Sequence, residues 1–277
     1  MNELKTFEQQ VKDGDKFEFG KNWRAYLKTL NEEKIQVAID SLKKFLVTAQ
    51  ASKQQFIDVG SGSGLFSLAA KRIGFQVTSF DFDRQSVECT RLVKDTYFPH
   101  DANWNVLHGS VLDEDFLNTL GQFDVVYSWG VLHHTGNMWS ALSNVTRLVK
   151  PGGQLFIAIY NQQGFRSSYW HFIKKCYNKN SVLKYFILAF YLPFFMLSYF
   201  VLDLLHLNNP FKRYIEYKQK RGMNLYHDWI DWLGGYPFEV ATANELIAFY
   251  TGKGFRVATL QKTNRLGCNQ IVFIKES

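Results

Sequence analysis

Apolar and polar positions change their period several times along this 277-residue chain. Ile35, Ala38, Ile39, Leu42 and Leu46 recur every three or four residues with Lys and Glu between them, the spacing of an amphipathic helix. At Gln55 the pattern shortens. Phe56, Ile57 and Val59 make a brief apolar run stopped by Gly60, as a buried parallel strand requires. Leu65, Phe66, Leu68, Ala69 and Ala70 then restore the helical period. Further strands are predicted at 76–80, 103–107, 123–128 and 154–160. Helices are predicted at 84–94 and 137–149, the second stopped by a Lys150-Pro151-Gly152-Gly153 turn. This alternation predicts an α/β fold with a doubly wound, mostly parallel sheet, its ligands at the carboxyl ends of the strands.

Beyond residue 160 the alternation breaks. Residues 161–240 show no βαβ unit, and only afterwards do a helix at 244–251 and strands at 256–260 and 270–274 complete a seven-stranded sheet. The chain divides into an N-terminal helical arm (1–50), a ligand-binding core (51–160), a long helical insertion after the fifth strand (161–240) and a C-terminal completion of the sheet (241–277).

Within the insertion, Tyr185 to Leu202 is a run of eighteen uncharged, largely apolar residues. Lys174, Lys175, Lys179 and Lys184 precede it, and Lys212, Arg213, Lys218, Lys220 and Arg221 follow. Its length approaches that of a membrane span. Pro193 interrupts it, however, and one crossing would part the last two strands from the sheet they complete. Two readings stay open for 182–205: a lid over an acceptor pocket, or an interfacial helix whose basic flanks meet anionic headgroups.

Composition narrows the rest. With 46% hydrophobic residues a large core is expected. The net charge of +7 admits nucleic acid, anionic lipid or acidic ligands without choosing among them. Cys89, Cys176 and Cys268 include no CxxC pair, which fits free thiols in a reducing compartment rather than a disulfide or zinc scaffold. The first residues lack the apolar core of a signal peptide. The expected location is cytoplasmic, with membrane association through 182–205 left open.

The chemistry concentrates at Asp58-Val59-Gly60-Ser61-Gly62-Ser63-Gly64. A dinucleotide loop, G-x-G-x-x-G, would need glycine at 65 or 67, where Leu65 and Ser67 stand, and no G-K-[ST] occurs. A carboxylate two residues before the first glycine suits a ligand carrying an ammonium group. Asp81, at the end of the second strand, stands about twenty residues on, where an acidic side chain can accept ribose hydroxyls. The aromatics of Phe17-Glu18-Phe19-Gly20-Lys21-Asn22-Trp23 either cap a ligand pocket or dock the arm on the core.

Residues 54–160, with FIDVGSGSG, VTSFDFD, HGSVLD, FDVVYSWGVLHHTG and LVKPGGQLFIAIYN in order, resemble class I S-adenosylmethionine-dependent methyltransferases. The wider chain is similar to their ubiquinone O-methyltransferase-like group. The resemblance implies a Rossmann-like methyltransferase fold with S-adenosyl-L-methionine as cofactor. Asp58, Gly60, Ser61 and Gly62 would approach its methionine part and ribose, Asp81 would take the ribose hydroxyls, and Phe82 would pack on the adenine. Ser110 and Val111 would lie at the adenine edge, although many relatives have an acidic residue in place of Ser110. Trp129 and Gly130 would line the methyl-bearing end.

Methyl transfer from a sulfonium needs alignment and exclusion of water more than a nucleophilic triad or a metal. A hydroxyl acceptor gains from a general base. Candidates are His134 and His133 after the fourth strand, Tyr160 at the end of the fifth, and His227 and Asp228 in a polar–aromatic segment, 226–239, read as a loop walling the acceptor site. His227, Asp228 and Glu239 lack diagnostic metal spacing, and no metal is expected. The expected function is methyl transfer to a hydroxyl, or an amine, of a small or lipid-linked acceptor. An RNA methyltransferase and a non-catalytic S-adenosylmethionine-binding protein are the alternatives. Nucleic acid is not an expected partner, because no RNA-binding module or N-P-P-[YF] motif follows the fourth strand. The intact loop, Asp58 and Asp81 argue against a non-catalytic role.

Overall fold

The computed structural model describes residues 5–47, 51–210 and 225–276. The arm is three helices: α1 (Phe7–Lys12), α2 (Gly20–Leu27) and α3 (Glu32–Phe45). The core follows as β1 (Gln55–Val59), α4 (Leu65–Ile73), β2 (Gln76–Asp81), α5 (Arg84–Tyr97), β3 (Trp104–His108), α6 (Glu114–Leu120), β4 (Phe123–Trp129), α7 (Met138–Asn144) and β5 (Val149–Tyr160). The insertion contains α8 (Phe165–Lys179), α9 (Ser181–Leu205) and α10 (Leu225–Gly234), and α11 (Ala243–Thr251), β6 (Phe255–Gln261) and β7 (Cys268–Lys275) close the chain.

The strand order is β3-β2-β1-β4-β5-β7-β6. The first five strands run parallel, and β7 pairs antiparallel with both β5 and β6. Successive side chains on a strand point to opposite faces, and both faces are packed. Ile57, Val126, Ile157, Ile271 and Phe273 enter one apolar cluster. Their chain neighbours Phe56, Val125, Tyr127, Phe156 and Val272 enter the other, with Ile35, Leu42 and Phe45 of the arm. The central strands are continuous apolar runs because neither face meets water.

Sequence reversal occurs between β1 and β4, so the loops after these two strands diverge at one crevice. The loops interlock there. A Cβ on Gly60 would stand 2.3 Å from Val131 Cγ1, and Gly60 has φ +81°. A side chain at this position would therefore both strain the backbone and displace the neighbouring loop.

Three local expectations are corrected. The helix placed at 137–149 ends at Asn144, where a 3₁₀ turn, Val145–Leu148, takes over. The Lys150–Gly153 turn lies inside β5: Phe123 pairs Val149 and Val125 pairs Gln154, so the Pro-Gly-Gly stretch is a bulge. The segment 226–239 is helical as far as Gly234 rather than a loop.

The insertion leaves and rejoins the sheet at one point. Ala241 N–H donates to the Tyr160 carbonyl at 3.0 Å, and Asn161 bridges Ala241 in parallel. Outside the sheet, α8 packs on α9 and on α10. Tyr177, Ile187, Tyr191 and Leu233 form a separate small apolar cluster among them.

Leu42 of α3 is fully buried against α4 and the sheet. Leu42→Ala is expected to cost roughly 2–5 kcal/mol, read as a lowered denaturation midpoint with an unchanged slope. A loss well under 1 kcal/mol would show that the arm helix is not part of the folded core.

Candidate functional site

A cavity of about 390 Å³ opens at the β1/β4 crevice. Its floor is the end of β1 and the glycine loop, Asp58 to Ser63. One wall is Asp81, Phe82 and Ser110–Leu112, and another is Trp129 to Val131 with His134 and Thr135. The arm supplies the roof through Phe7, Lys16, Phe17, Phe19, Trp23 and Tyr26.

Asp58 lies at the end of β1 with 2% of its surface exposed. A one-way hydrogen-bond chain reaches it across the sheet. Trp104 Nε1–H donates to Ser79 Oγ (3.0 Å), Ser79 Oγ–H to Ser67 Oγ (2.8 Å), and Ser67 Oγ–H to Asp58 Oδ2 (2.6 Å). An ionised carboxylate can only accept and an indole nitrogen can only donate, so the two ends together set the direction of both hydroxyls. Burial nevertheless pushes the Asp58 carboxyl up to about 7, Ser67 working against the shift and the nearby Asp81 adding to it.

Asp81 accepts from Gly62 N–H and from Asp83 N–H, each at 2.9 Å. Burial raises its carboxyl to about 6 against these bonds. Asp83 caps α5 through Gln85 N–H and accepts from Gly20 N–H at 2.9 Å, which pins the start of α2 beside the second strand. A Cβ on Gly62 would lie 3.1 Å from Trp23 Nε1, so the arm rests directly on the glycine loop.

The remaining residues singled out for the cofactor also face this cavity. Phe82 is stacked beside His108, with Phe7 on its edge. Ser110 and Val111 line the wall, the Ser110 hydroxyl accepting from Leu112 N–H. Trp129 Nε1–H donates to Gln270 Oε1 on β7, which fixes the indole beside Gly130.

The two histidines separate. His134 faces the cavity, and its Nδ1 lies 2.6 Å from the Pro237 carbonyl, an acceptor only. Nδ1 therefore carries the proton and Nε2 keeps its lone pair. Burial lowers this imidazole to about 3, offset in part by the Pro237 bond. His133 is fully buried behind it. Its Nδ1 accepts from Tyr160 N–H at 3.4 Å, its Nε2 has no partner among the described residues, and burial holds it well below the usual range. Tyr160 packs at a tilt on His133, ring centroids 4.1 Å apart, and does not line this cavity. His227 and Asp228 belong to α10, but their side chains lie outside the described residues. The Glu239 carboxylate caps α7 by accepting from Gly136 and Met138 N–H.

Lys16 escaped the sequence reading, because it sits in an alternating charged stretch with no motif. Its ammonium lies 4.9 Å from the Phe82 ring centroid, and burial lowers it to about 8 while Asp81 and Glu239 pull it back up. Tyr127 Oη, next to Asp58 on the paired strand, is buried on the cavity wall with no partner among the described residues.

These features fit a nucleoside-bearing cation. Two buried carboxylates with raised pKa values favour a positive ligand. The glycine loop leaves room where a Cβ would not fit, and the unpartnered Tyr127 hydroxyl awaits a polar group.

A family model described as a methyltransferase domain matches residues 30–256. A ubiquinone biosynthesis O-methyltransferase of Rickettsia typhi is 30% identical over 167 residues, 58% of this chain and 61% of that protein. An uncharacterized methyltransferase of Mycobacterium bovis is 32% identical over 119 residues, 43% of this chain and 56% of its own length. The chain thus spans about three-fifths or less of these relatives. Among solved structures, magnesium protoporphyrin IX methyltransferase from Synechocystis with bound S-adenosylhomocysteine aligns with a TM-score of 0.51 at 12% identity, covering 100% of this chain and 90% of the other. An O-methyltransferase family protein from Burkholderia thailandensis aligns with a TM-score of 0.52 at 15% identity, covering 87% and 56%. At these identities the structures speak for the fold alone.

Because burial favours the neutral imidazole, the ring protons of His134 are expected to show no titration between pH 5 and 8 by NMR. An inflection above about pH 6 would place His134 in water and overturn this geometry.

Proposed function

We propose, from the premise that this chain belongs to the class I S-adenosylmethionine-dependent methyltransferases, that it methylates a hydroxyl oxygen of a small or lipid-linked acceptor. The observation that carries a protic acceptor is the His134 tautomer, and the O-methyltransferase relatives favour a hydroxyl among such acceptors. With Nδ1–H committed to Pro237, Nε2 presents a lone pair to whatever enters beside it. An O–H donates to that lone pair and turns its own lone pair outward, toward an incoming electrophile.

The cofactor, when bound, supplies an electrophilic methyl group on a neutral leaving group. The protein's part is to hold and align. Asp58 would face the ammonium end, Asp81 the ribose hydroxyls and Phe82 the adenine ring, while Trp129, Gly130 and Val131 would shape the methyl-bearing end. The roof of arm aromatics excludes water, which strengthens every charge interaction beneath it. A base held near pKa 3 is a weak proton sink. His134 is therefore assigned to orienting the hydroxyl; as the O–CH3 bond forms and the S–CH3 bond breaks, the oxygen becomes more acidic than the imidazolium, its proton passes to Nε2, and water takes it when the products leave.

Asp81→Asn is expected to weaken S-adenosylhomocysteine binding roughly 10- to 100-fold, the range of a lost charged hydrogen bond, measured by calorimetry. The pH sign follows from the raised carboxyls. A cationic ligand needs them ionised, so affinity should rise with pH through about 6 to 7. It should fall about tenfold per pH unit below that for each carboxyl that must ionise, and Asp58→Asn should flatten the slope. An affinity indifferent to pH from 5 to 8 would overturn the assignment of these groups.

The acceptor class is tested by incubating the protein with methyl-tritiated S-adenosylmethionine and a cell extract. Label is expected in small or organic-extractable molecules, as a base-stable ether. His134→Asn should lower that transfer roughly 10- to 100-fold with the cofactor Kd unchanged. Label recovered in RNA or in protein would refute the reading.

A further inference from the structure

The longest helix in the described residues is also the least covered. α9 is 25 residues, and its most apolar eighteen-residue window has a mean hydropathy of 2.0 with only 6% of it buried. Asn180 starts it by accepting from Val182 and Leu183 N–H, and it continues through Pro193. One side is anchored: Ile187 and Tyr191 are buried against Tyr177 of α8 and Leu233 of α10, and Phe195 meets Trp229. The adjoining face carries Phe186, Phe190, Phe194, Leu197, Val201 and Leu205, which are 43–73% exposed. At 100° per residue these six fall within one stripe about 100° wide. Together they expose on the order of 600 Å² of apolar surface, at the limit of what a monomer ordinarily leaves to water, about 300–600 Å².

The charges around the stripe are one-sided. From Phe165 to Leu205 the sequence holds five cations against a single carboxylate, Asp203; Lys174 is buried against the Trp232 carbonyl and Lys179 pairs with Asp15, which leaves Arg166, Lys175 and Lys184. Asp203 is 4% exposed, while Arg166 and Lys175 face solvent. Exposed Phe165 and Phe172 extend the apolar surface onto α8. A second copy of this chain is a poor occupant, because isologous pairing would bring two cationic hairpins together. An anionic, apolar surface satisfies both features.

A span is disfavoured by topology. β5 lies before α9 and β7 after it, yet Tyr160 pairs Cys268 within one sheet. The anchored side also ties α9 lengthwise to α8 and α10.

We propose that α9 lies flat in the headgroup–acyl boundary of an anionic bilayer, its aromatic stripe immersed and Arg166, Lys175 and Lys184 of the α8–α9 hairpin at the phosphates. The seat connects to the cavity through Phe17. That side chain lines the cavity, sits 6.5 Å from the Tyr177 ring, and occupies the space that a Cβ on Gly234 would need. This inference concerns a surface and stands or falls apart from the identity of the methyl acceptor.

The test is flotation of the purified full chain with unilamellar vesicles of phosphatidylcholine, alone or with phosphatidylglycerol at about a third of the lipid. Its comparison is a triple variant, Phe186→Ser, Phe190→Ser and Leu197→Ser, which alters exposed positions only. Calorimetry with S-adenosylhomocysteine verifies that the variant is folded. The wild type is expected to float with anionic vesicles, at least tenfold more weakly with phosphatidylcholine alone, and to be released by alkaline carbonate. The variant should lose at least tenfold in vesicle affinity while keeping its ligand affinity. No flotation on anionic vesicles at low salt would overturn the proposal. So would equal flotation of variant and wild type, or retention after carbonate, the mark of a span. A concentration-dependent dimer abolished by the triple variant, without vesicle binding, would assign the stripe to a second copy instead.

Discussion

A carboxylate kept away from water at the end of a central strand is the constraint on which the site depends. An ionised carboxyl buried alone would cost many kcal/mol, so it must be solvated by the protein or protonated. Here Ser67 donates to Asp58 and is itself oriented by Ser79 and by the Trp104 indole, on the outermost parallel strand. Three strands and one helix are thereby committed to a single charge. The solvation is incomplete, since Asp58 stays raised to about 7. That shortfall gives the site its preference for a cation: a positive ligand completes what the hydroxyls begin.

The same economy governs the roof. The arm is held over the cavity less by its own helices, two of which are short, than by contacts to groups that already serve the floor. Gly20 N–H donates to Asp83, the cap of α5, and Trp23 lies on Gly62. Lys16 places an ammonium near Asp81, part of the positive charge that pocket lacks. Opening the arm would therefore expose aromatics and uncover carboxylates together.

What was legible in the sequence was what is local. The strand–glycine–helix unit at 55–73, Asp81 at a strand end and the seven strands follow from periods and turn residues within a few positions of each other. The bulge in β5 was not legible, because Pro-Gly-Gly reads as a stop unless the register of β4 is known. The α10 helix was not legible because its mixture of acids, His and Trp before a Gly-Gly pair resembles a functional loop; Trp229 and Trp232, three residues apart, declare one helical face only through their contacts with α9 and α8. Lys16 matters through Asp81 and Phe82, and Tyr127 Oη through its place beside Asp58, all far away in the chain. Separating His134 from His133 required the Pro237 carbonyl, over a hundred residues distant.

The point where the insertion leaves and rejoins the sheet has a consequence for how such a chain can change. Tyr160 and Ala241 are bonded to each other, so everything between them is a closed loop in the polymer sense. The entropy of closing a loop grows only with the logarithm of its length, about 0.6 kcal/mol for each doubling. The sheet is thus nearly indifferent to how much chain is stored there. Segments of very different size and polarity can occupy that position without disturbing the pairing of β5 with β7. The half of the molecule that holds the nucleoside and the half that meets the outside world are free to diverge at different rates.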